Sequence, residues 1–547
     1  MKKSKRTKST SSAEKPKSAS ESKRTNKNEQ KDCNPFKWLV AVIVVFAIAS
    51  VSIFGIVMLQ RKSQTKNDAE IIDIVVDNFM PLTQVPRPSH HEEQISNWLA
   101  DWAKEHGFNP VQDSVYNVMF DVPATAGMEN KPLGILQGHM DMVVAVADGK
   151  NFNPLTDKIT AIRNDAEGTL TADGTSLGAD DGIGVAMILA VAQGRMAHGP
   201  LRMIITVDEE DGMTGALNIS PSWFDGASFL INIDNEWSNQ VLVSTAAGDS
   251  ISISQDTAYT YATGNVALNI EISNLKGGHS GVEIDKGRLN GIIGLANFLK
   301  QLSNHTINYE LASFEGGTAA NAIPAKANAT IVVNAANKTI VTEKIKEYCT
   351  ALNAKYNGIE DEISCIVSEA DNVPKVVYKS ARDNLIKFIT EVPNGVYTMS
   401  KDLEGLVESS SNLGIVKLGQ DGLKIAALIR SSSPEKETEL VAKELELAKT
   451  CGYTATSNKT TDAWPFDPYS KLLDITQRVY KEQNGEDIIV SAVHAGLECG
   501  SFKRIKSDLD MVSIGPDLKD GHTINETLVL GSVPRIWRLL EGILARY

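Results

Sequence analysis

The sequence predicts an α/β catalytic domain on a mostly parallel sheet, interrupted by an inserted α+β domain and preceded by one transmembrane helix. Three observations carry this reading. Apolar strand runs alternate with helical patterns over residues 67–247 and again over 461–547; between 248 and 460 the strands become alternating; and one uncharged apolar run of 21 residues stands near the N-terminus. Alternation of β and α segments with fully apolar strands marks a sheet covered by helices.

Residues 1–37 hold 12 Lys/Arg against 4 Asp/Glu among many Ser, Thr and Asn. They bury too little apolar surface to fold and are expected to form a disordered basic tail, weakly attracted to anionic lipid. The run Leu39–Leu59, LVAVIVVFAIASVSIFGIVML, has no charged residue. At about 1.5 Å per residue it reaches roughly 30 Å, a bilayer's hydrocarbon thickness. A soluble helix this long would carry a polar stripe, and a cleaved signal peptide would have a shorter apolar core. Residues 38–60 are therefore expected to span the membrane once. The basic flank puts the N-terminus in the cytoplasm and the catalytic part outside; the alternative is a catalytic part on the cytoplasmic side.

The remaining chain is acidic, at −22 of an overall −14, which argues against nucleic-acid binding. The full chain's 42% hydrophobic and 22% charged content is ordinary for a globular protein. The cysteines, Cys33, Cys349, Cys365, Cys451 and Cys499, show no C-x-x-C spacing, so neither a structural zinc site nor a redox motif is expected. Cys349 and Cys365 could pair in an oxidising compartment; the sequence leaves this open.

Along the body, EEQISNWLADWAKEHG has helical spacing, LGILQGH is a strand, GIGVAMILAVAQGR a helix, and LRMIITV and SFLINID are buried strands. NVALNIEIS, ANATIVVNA and LKIAALIRSS supply the strands of the inserted domain. YSKLLDITQRVYKEQNG, DMVSIG and PRIWRLLEGILARY return to the first pattern. Parallel sheets bind ligands at the carboxyl ends of their strands. His139 follows LGIL, Glu209 and Glu210 follow MIITV, Asp234 ends FLINI, and His522 lies just past MVSIG.

With Asp180 in LGADDGIG, these residues offer two imidazoles and three carboxylates in short Gly- or Asp-marked loops, a donor set suited to a pair of zinc-type divalent ions. Glu209, left over beside Glu210, is free to act as a base. Asp141, two residues after His139, can hydrogen-bond its imidazole and fix the tautomer.

QGHMDMV, SLGADDGIG, DEEDGMTGA, GGHSGVEI, GGTAANAIP, ESSSNLG, HAGLECG and IGPDLKDGH occur in that order. On these motifs the chain, from about Ile71 to Tyr547, resembles the di-zinc co-catalytic metallopeptidase superfamily, and within it the aminoacyl-histidine (Xaa-His, beta-Ala-His) dipeptidase family. The resemblance implies a zinc-peptidase-like catalytic domain with an inserted lid. It implies two divalent ions, zinc with cobalt or manganese as alternatives. Asp180 would bridge them, Glu210 and His522 hold one, and His139 and Asp234 the other. It also implies a non-proline cis peptide after Asp180, with Asp181 across it.

In this reading Glu209 is the general base and Asp141 the catalytic partner of His139, while His279 polarises the carbonyl, often across a dimer interface. Asn321, His494 and Arg430 bind substrate, Arg430 through the substrate's carboxylate. His90, His91, His106, His198 and His305 are read as structural or surface residues. Ala320 stands where the family commonly carries arginine, and family members are typically soluble in the cytosol. The function implied is hydrolysis of dipeptides, including Xaa-His. The alternatives are a related amidohydrolase or tripeptide aminopeptidase, and a non-catalytic membrane-anchored binding protein.

Overall fold

The sheet expected to carry the site has eight strands, in the order Val111–Gln112, Val118–Val122, Leu201–Thr206, Leu133–His139, Ala227–Asn232, Asp510–Ser513, Gln240–Thr245 and Ile489–Val493. The four central neighbours, Leu201–Thr206 through Asp510–Ser513, run parallel. Antiparallel pairing begins outside them, at Val118–Val122 on one side and Gln240–Thr245 on the other. These data come from a computed structural model, which describes residues 66–547 apart from 306 and 372. The basic tail and the run Leu39–Leu59 lie outside the described residues. Among the described residues no helix is long and apolar enough to cross a membrane.

Period-two alternation sends successive strand residues to opposite faces. Leu136, Met203, Ile231 and Val512 enter one core with the helices Asp68–Leu82, Ala179–Ala192, Lys471–Asn484 and Val533–Arg546. Ile135, Ile204, Leu230 and Met511 enter the other with Trp223, Phe224 and Phe502. Ala179–Ala192 is apolar on all sides and buried along nearly its whole length, as a helix without a polar stripe must be. The cis peptide lies at its start, between Asp180 and Asp181.

The chain then leaves for a second, antiparallel sheet built from residues 247–461. Its main path runs Ser364–Glu369, Val266–Ser273, Ala327–Val333, Glu310–Gly316, Val407–Gly419, Gly422–Ser431, Ala247–Gln255 and Ala455–Thr461, and Gly395–Met399 pairs beside Val407–Gly419. Val266–Ser273 buries every second residue, and those residues pack with the helices Gly291–Asn304 and Lys379–Glu391. Cys349, on the helix Ala335–Lys355, and Cys365, on the edge strand, form a disulfide with Cα atoms 5.8 Å apart. A small four-stranded sheet joins Leu518–Lys519 and Thr527–Val529 to the hairpin Ala161–Asn164/Thr169–Ala172 and so fixes both sides of the His522 loop.

Asp181 locks the His139 strand to the helix behind it. One carboxylate oxygen accepts from His139 N at 3.2 Å and the other from Gly184 N at 3.1 Å. A Cβ on Gly138 would stand 2.2 Å from Asp181 Oδ2. Gly138→Ala should therefore destabilise the fold by about 1–3 kcal/mol, as overpacking does. A urea midpoint equal to that of wild type would show that Asp181 can yield.

Candidate active site

Five of the expected residues converge at the carboxyl ends of the parallel strands. The His139 Nε2 atom lies 3.3 Å from Asp180 Oδ1 and 3.6 Å from Asp234 Oδ1. His522 Nε2 lies 3.1 Å from Asp180 Oδ2 and 2.9 Å from Glu210 Oε2. Asp180 thus presents one oxygen to each imidazole. His139, Asp180 and Asp234 form one group, and Asp180, Glu210 and His522 another, each with donor atoms within 4.8 Å of one another.

The strand ends and loops explain why these atoms meet. His139 closes its strand, and Asp234 lies two residues past Asn232 on the neighbouring one. Asp208, at φ 56°, turns the chain sharply after Thr206 and delivers Glu209 and Glu210. His522, at φ 62°, sits on the tight loop between the strands of the small sheet. Behind His139, Asp141 Oδ1 lies 3.2 Å from Nδ1. Asp141 also accepts from Glu209 N at 3.1 Å, Glu210 N at 3.4 Å and Ser89 Oγ at 2.9 Å. One buried carboxylate therefore orients a histidine and the Glu209–Glu210 backbone together.

The electrostatics are those of an anionic cluster. Burial and the Asp234 charge push the Glu209 carboxyl well above its usual range. Burial raises Asp234 to about 6 against the pull of His139. For Asp180, burial also acts upward, but hydrogen bonds from His139 and His522 outweigh it and hold the group below the usual range. Hydrogen bonds to Asp180 and Glu210 lift His522 to about 11. The groups pull protons into the site to offset like charges, a role that cations can fill.

The donor chemistry fits two divalent ions. Each group mixes imidazole nitrogen with carboxylate oxygen, the shared carboxylate faces both, and Glu210 Oε1 is buried without a hydrogen-bond partner.

The remaining candidates lie on the second sheet or beside it. His279 pairs with Ala322 across a short antiparallel bridge, and its Nδ1 accepts from Gly281 N at 3.2 Å, leaving Nε2 as the donor. Burial and then Arg430 lower its pKa, and it bonds none of the five clustered residues. Asn321 is exposed at the same corner, with its carbonyl accepting from Ser280 N. Arg430 stands opposite Ser410 in register and is 8% exposed, with no carboxylate partner among the described residues and an unsatisfied Nε; burial lowers it to about 10. His494 Nε2 lies 2.7 Å from Ser410 Oγ, and burial, then Arg430, pushes it down to about 3. Arg430, His494 and His279 thus form a second polar patch.

Sequence reasoning missed several groups. His90 lies between Asp208 and Asp211, at 3.0 and 2.9 Å, in the loop that carries Glu209. Glu92, Asp141 and Asp208 make a third carboxylate trio without nitrogen donors. Glu498 is fully buried and accepts from Gln137 Nε2 at 2.5 Å and Thr206 Oγ1 at 2.7 Å. Arg87 and Glu526 hold the segment before Asp180. Glu498 lies inside the HAGLECG motif and Asp208 inside DEEDGMTGA, signals that were there to be read; nothing in the sequence pattern marked His90, Glu92, Arg87 or Glu526.

A parallel sheet with paired acid-histidine groups at its carboxyl edge is an arrangement suited to a dinuclear metal centre. Residues 135–546 match the profile of peptidase family M20/M25/M40. The chain is 34% identical over 470 residues to the cytosol non-specific dipeptidase of Escherichia coli (strain K12), covering 86% of this chain and 96% of that one. It is 23% identical over 298 residues to an uncharacterised Bacillus subtilis (strain 168) protein, YqjE, covering 52% and 70%. The crystal structure of aminoacylhistidine dipeptidase from Vibrio alginolyticus superposes with a TM-score of 0.81 at 31% identity, covering 89% of this chain and 99% of that one.

The chain belongs to peptidase family M20/M25/M40. One expectation is corrected: a single-pass membrane protein with an extracytoplasmic catalytic part does not stand beside a relative of this similarity that is a cytosol enzyme. The membrane reading rested wholly on the apolar length and flanking charge of residues 38–60, neither of which bears on the fold that follows.

If Asp141 fixes the His139 tautomer, Asp141→Asn should lower metal affinity by about 10–100-fold, the usual effect of losing such a partner. Chelator competition checks this, and unchanged affinity would leave Asp141 with only its contacts to Ser89 and to the Glu209 and Glu210 backbone.

Proposed function

We propose that this chain is a metal-dependent dipeptidase, hydrolysing the peptide bond of dipeptides that include Xaa-His. The observation that carries the reading is the placement of Asp180 between His139 and His522, one oxygen toward each. Its support is the dipeptidase relative in Escherichia coli and the aminoacylhistidine dipeptidase fold from Vibrio alginolyticus. His139 and Asp234 would hold one ion, Glu210 and His522 the other, and Asp180 both. Zinc suits this mixed donor set best, with cobalt and manganese as alternatives. Two such ions supply Lewis acidity toward a carbonyl and toward water.

The chain's own groups complete the reaction. Glu209, sheltered and held by Asp141 through its backbone N–H, takes a proton from the attacking water and returns it to the departing amine. Arg430, a buried guanidinium with no acidic partner among the described residues, binds the carboxylate of the dipeptide. His494 and Asn321 line the same approach. His279 donates through Nε2 to the carbonyl oxygen, from its own chain or from a second copy.

Hydrolysis assays with added zinc, cobalt or manganese, comparing dipeptides, tripeptides and N-acyl amino acids, test the substrate class. Dipeptides should be cleaved fastest; a preference for N-acyl amino acids would make the chain an amidohydrolase instead. Glu209→Gln should retain both ions yet reduce turnover by several orders of magnitude, and near-normal turnover would remove Glu209 from the proton transfers. Arg430→Met should raise KM for dipeptides by roughly 10–100-fold, the loss of one charge-assisted contact, while leaving dipeptide amides unaffected. Equal effects on both substrates would place Arg430 elsewhere.

A further inference from the structure

The loop that presents Asp180 is gripped from two sides by buried charged residues that touch its backbone. Glu526 is 2% exposed. Its Oε2 accepts from Leu177 N at 2.8 Å and Gly178 N at 2.9 Å, and its Oε1 from Ala179 N at 2.7 Å and Asp180 N at 3.2 Å. Four consecutive amides thus converge on one carboxylate. From the other side Arg87, 3% exposed, donates to Gly178 O, and also to Met140 O at 2.9 Å and Asp141 O at 3.0 Å.

Arg87 therefore ties the segment after His139 to the segment before Asp180. Glu526 ties the segment before Asp180 to the loop bearing His522, four residues upstream of it. There is no room to relax at Gly178, which lies at φ 71°, where an added Cβ would stand 2.5 Å from Arg87 Nη2 and 2.7 Å from the Met142 sulfur.

We propose that Glu526, with Arg87, is a positioning residue for the metal centre: the pair fixes the Asp180 backbone so that its carboxylate is aimed between His139 and His522 before any ion binds. The inference rests on the reading of Asp180 as the carboxylate shared by two ions. The physical reason is preorganisation. Bringing carboxylates together works against their repulsion, and a frame that has already done so leaves more of the ion's binding free energy in the measured affinity. Glu526 suits the task because a carboxylate only accepts, and all four groups facing it donate. A glutamine there would turn its NH₂ toward two of them.

The test compares Glu526→Gln, Glu526→Asp, Leu528→Ala and Asp180→Ala with wild type. Zinc affinity and stoichiometry are read by chelator competition and native mass spectrometry on apo-protein, and melting temperature is read separately. Leu528 is fully buried two residues from Glu526, on the strand that flanks the His522 loop, so its truncation loosens that strand and lowers stability while leaving the hydrogen bonds to Glu526 in place. Glu526→Gln should weaken both ions together by roughly tenfold or more, with Glu526→Asp intermediate and Leu528→Ala near wild-type affinity despite a lower melting temperature.

Wild-type affinity in Glu526→Gln would overturn the proposal. So would an equal loss in Leu528→Ala, which would make the effect one of general stability. Two ions bound at wild-type affinity in Asp180→Ala would instead refute the shared-carboxylate reading. Loss in Asp180→Ala with none in Glu526→Gln would refute the clamp alone.

Discussion

The rest of the structure answers to one constraint, the mutual repulsion of carboxylates packed around Asp180. Asp180, Glu209, Glu210 and Asp234 share the site with the imidazoles of His139 and His522, and Glu236 and Glu498 add further carboxyl groups nearby. Two unit charges at 4 Å in surroundings of intermediate polarity repel by about 4 kcal/mol, so several such pairs exceed what a loose loop could hold. Burial and neighbouring carboxylates raise Glu236 to about 7, and burial raises Glu498 to about 8, the same pressure felt further from the centre.

A parallel sheet is well suited to assembling such a cluster, because neighbouring strands deliver side chains to one edge from points far apart in sequence. The strand ends are locked to one another beneath the site. Asn232 Nδ2 donates to Gln137 Oε1 at 2.7 Å, and Gln137 and Thr206 both donate to Glu498. These residues lie on the three strands that lead to His139, to Glu209 and Glu210, and to Asp234. A buried, hydrogen-bonded polar layer of this kind fixes register and orientation in a way that apolar packing alone does not. The second sheet contributes a different chemistry, a buried guanidinium without an acidic partner among the described residues, beside two histidines whose pKa burial and that guanidinium lower.

Much of this was legible in the sequence, for specific reasons. Strands buried on both faces read as apolar runs, and the residues just beyond them are where a parallel sheet puts its chemistry, so His139, Glu210, Asp234 and His522 could be named; Asp180 was marked by its loop LGADDGIG at a helix start, and the five are found together. The inserted layer showed itself through alternation, as in Val266–Ser273. Arg87 and Glu526 were invisible because they act on backbone atoms, and no side-chain pattern encodes four amides converging on a carboxylate. His90 read as a surface residue because Asp208 and Asp211 meet it only through the fold. The expected extracytoplasmic placement did not hold beside a cytosol relative, because hydropathy describes one segment by itself and says nothing of the catalytic fold beyond it; the run Leu39–Leu59 lies outside the described residues.

The central claim is that Asp180 lies between two metal ions. Crystals of the fragment beginning near Asn67, grown with zinc and measured at the zinc absorption edge, test it most directly. The account predicts two anomalous peaks, one among His139, Asp180 and Asp234 and one among Asp180, Glu210 and His522. A single peak, or a peak among Glu92, Asp141 and Asp208 with none beside Asp180, would contradict it.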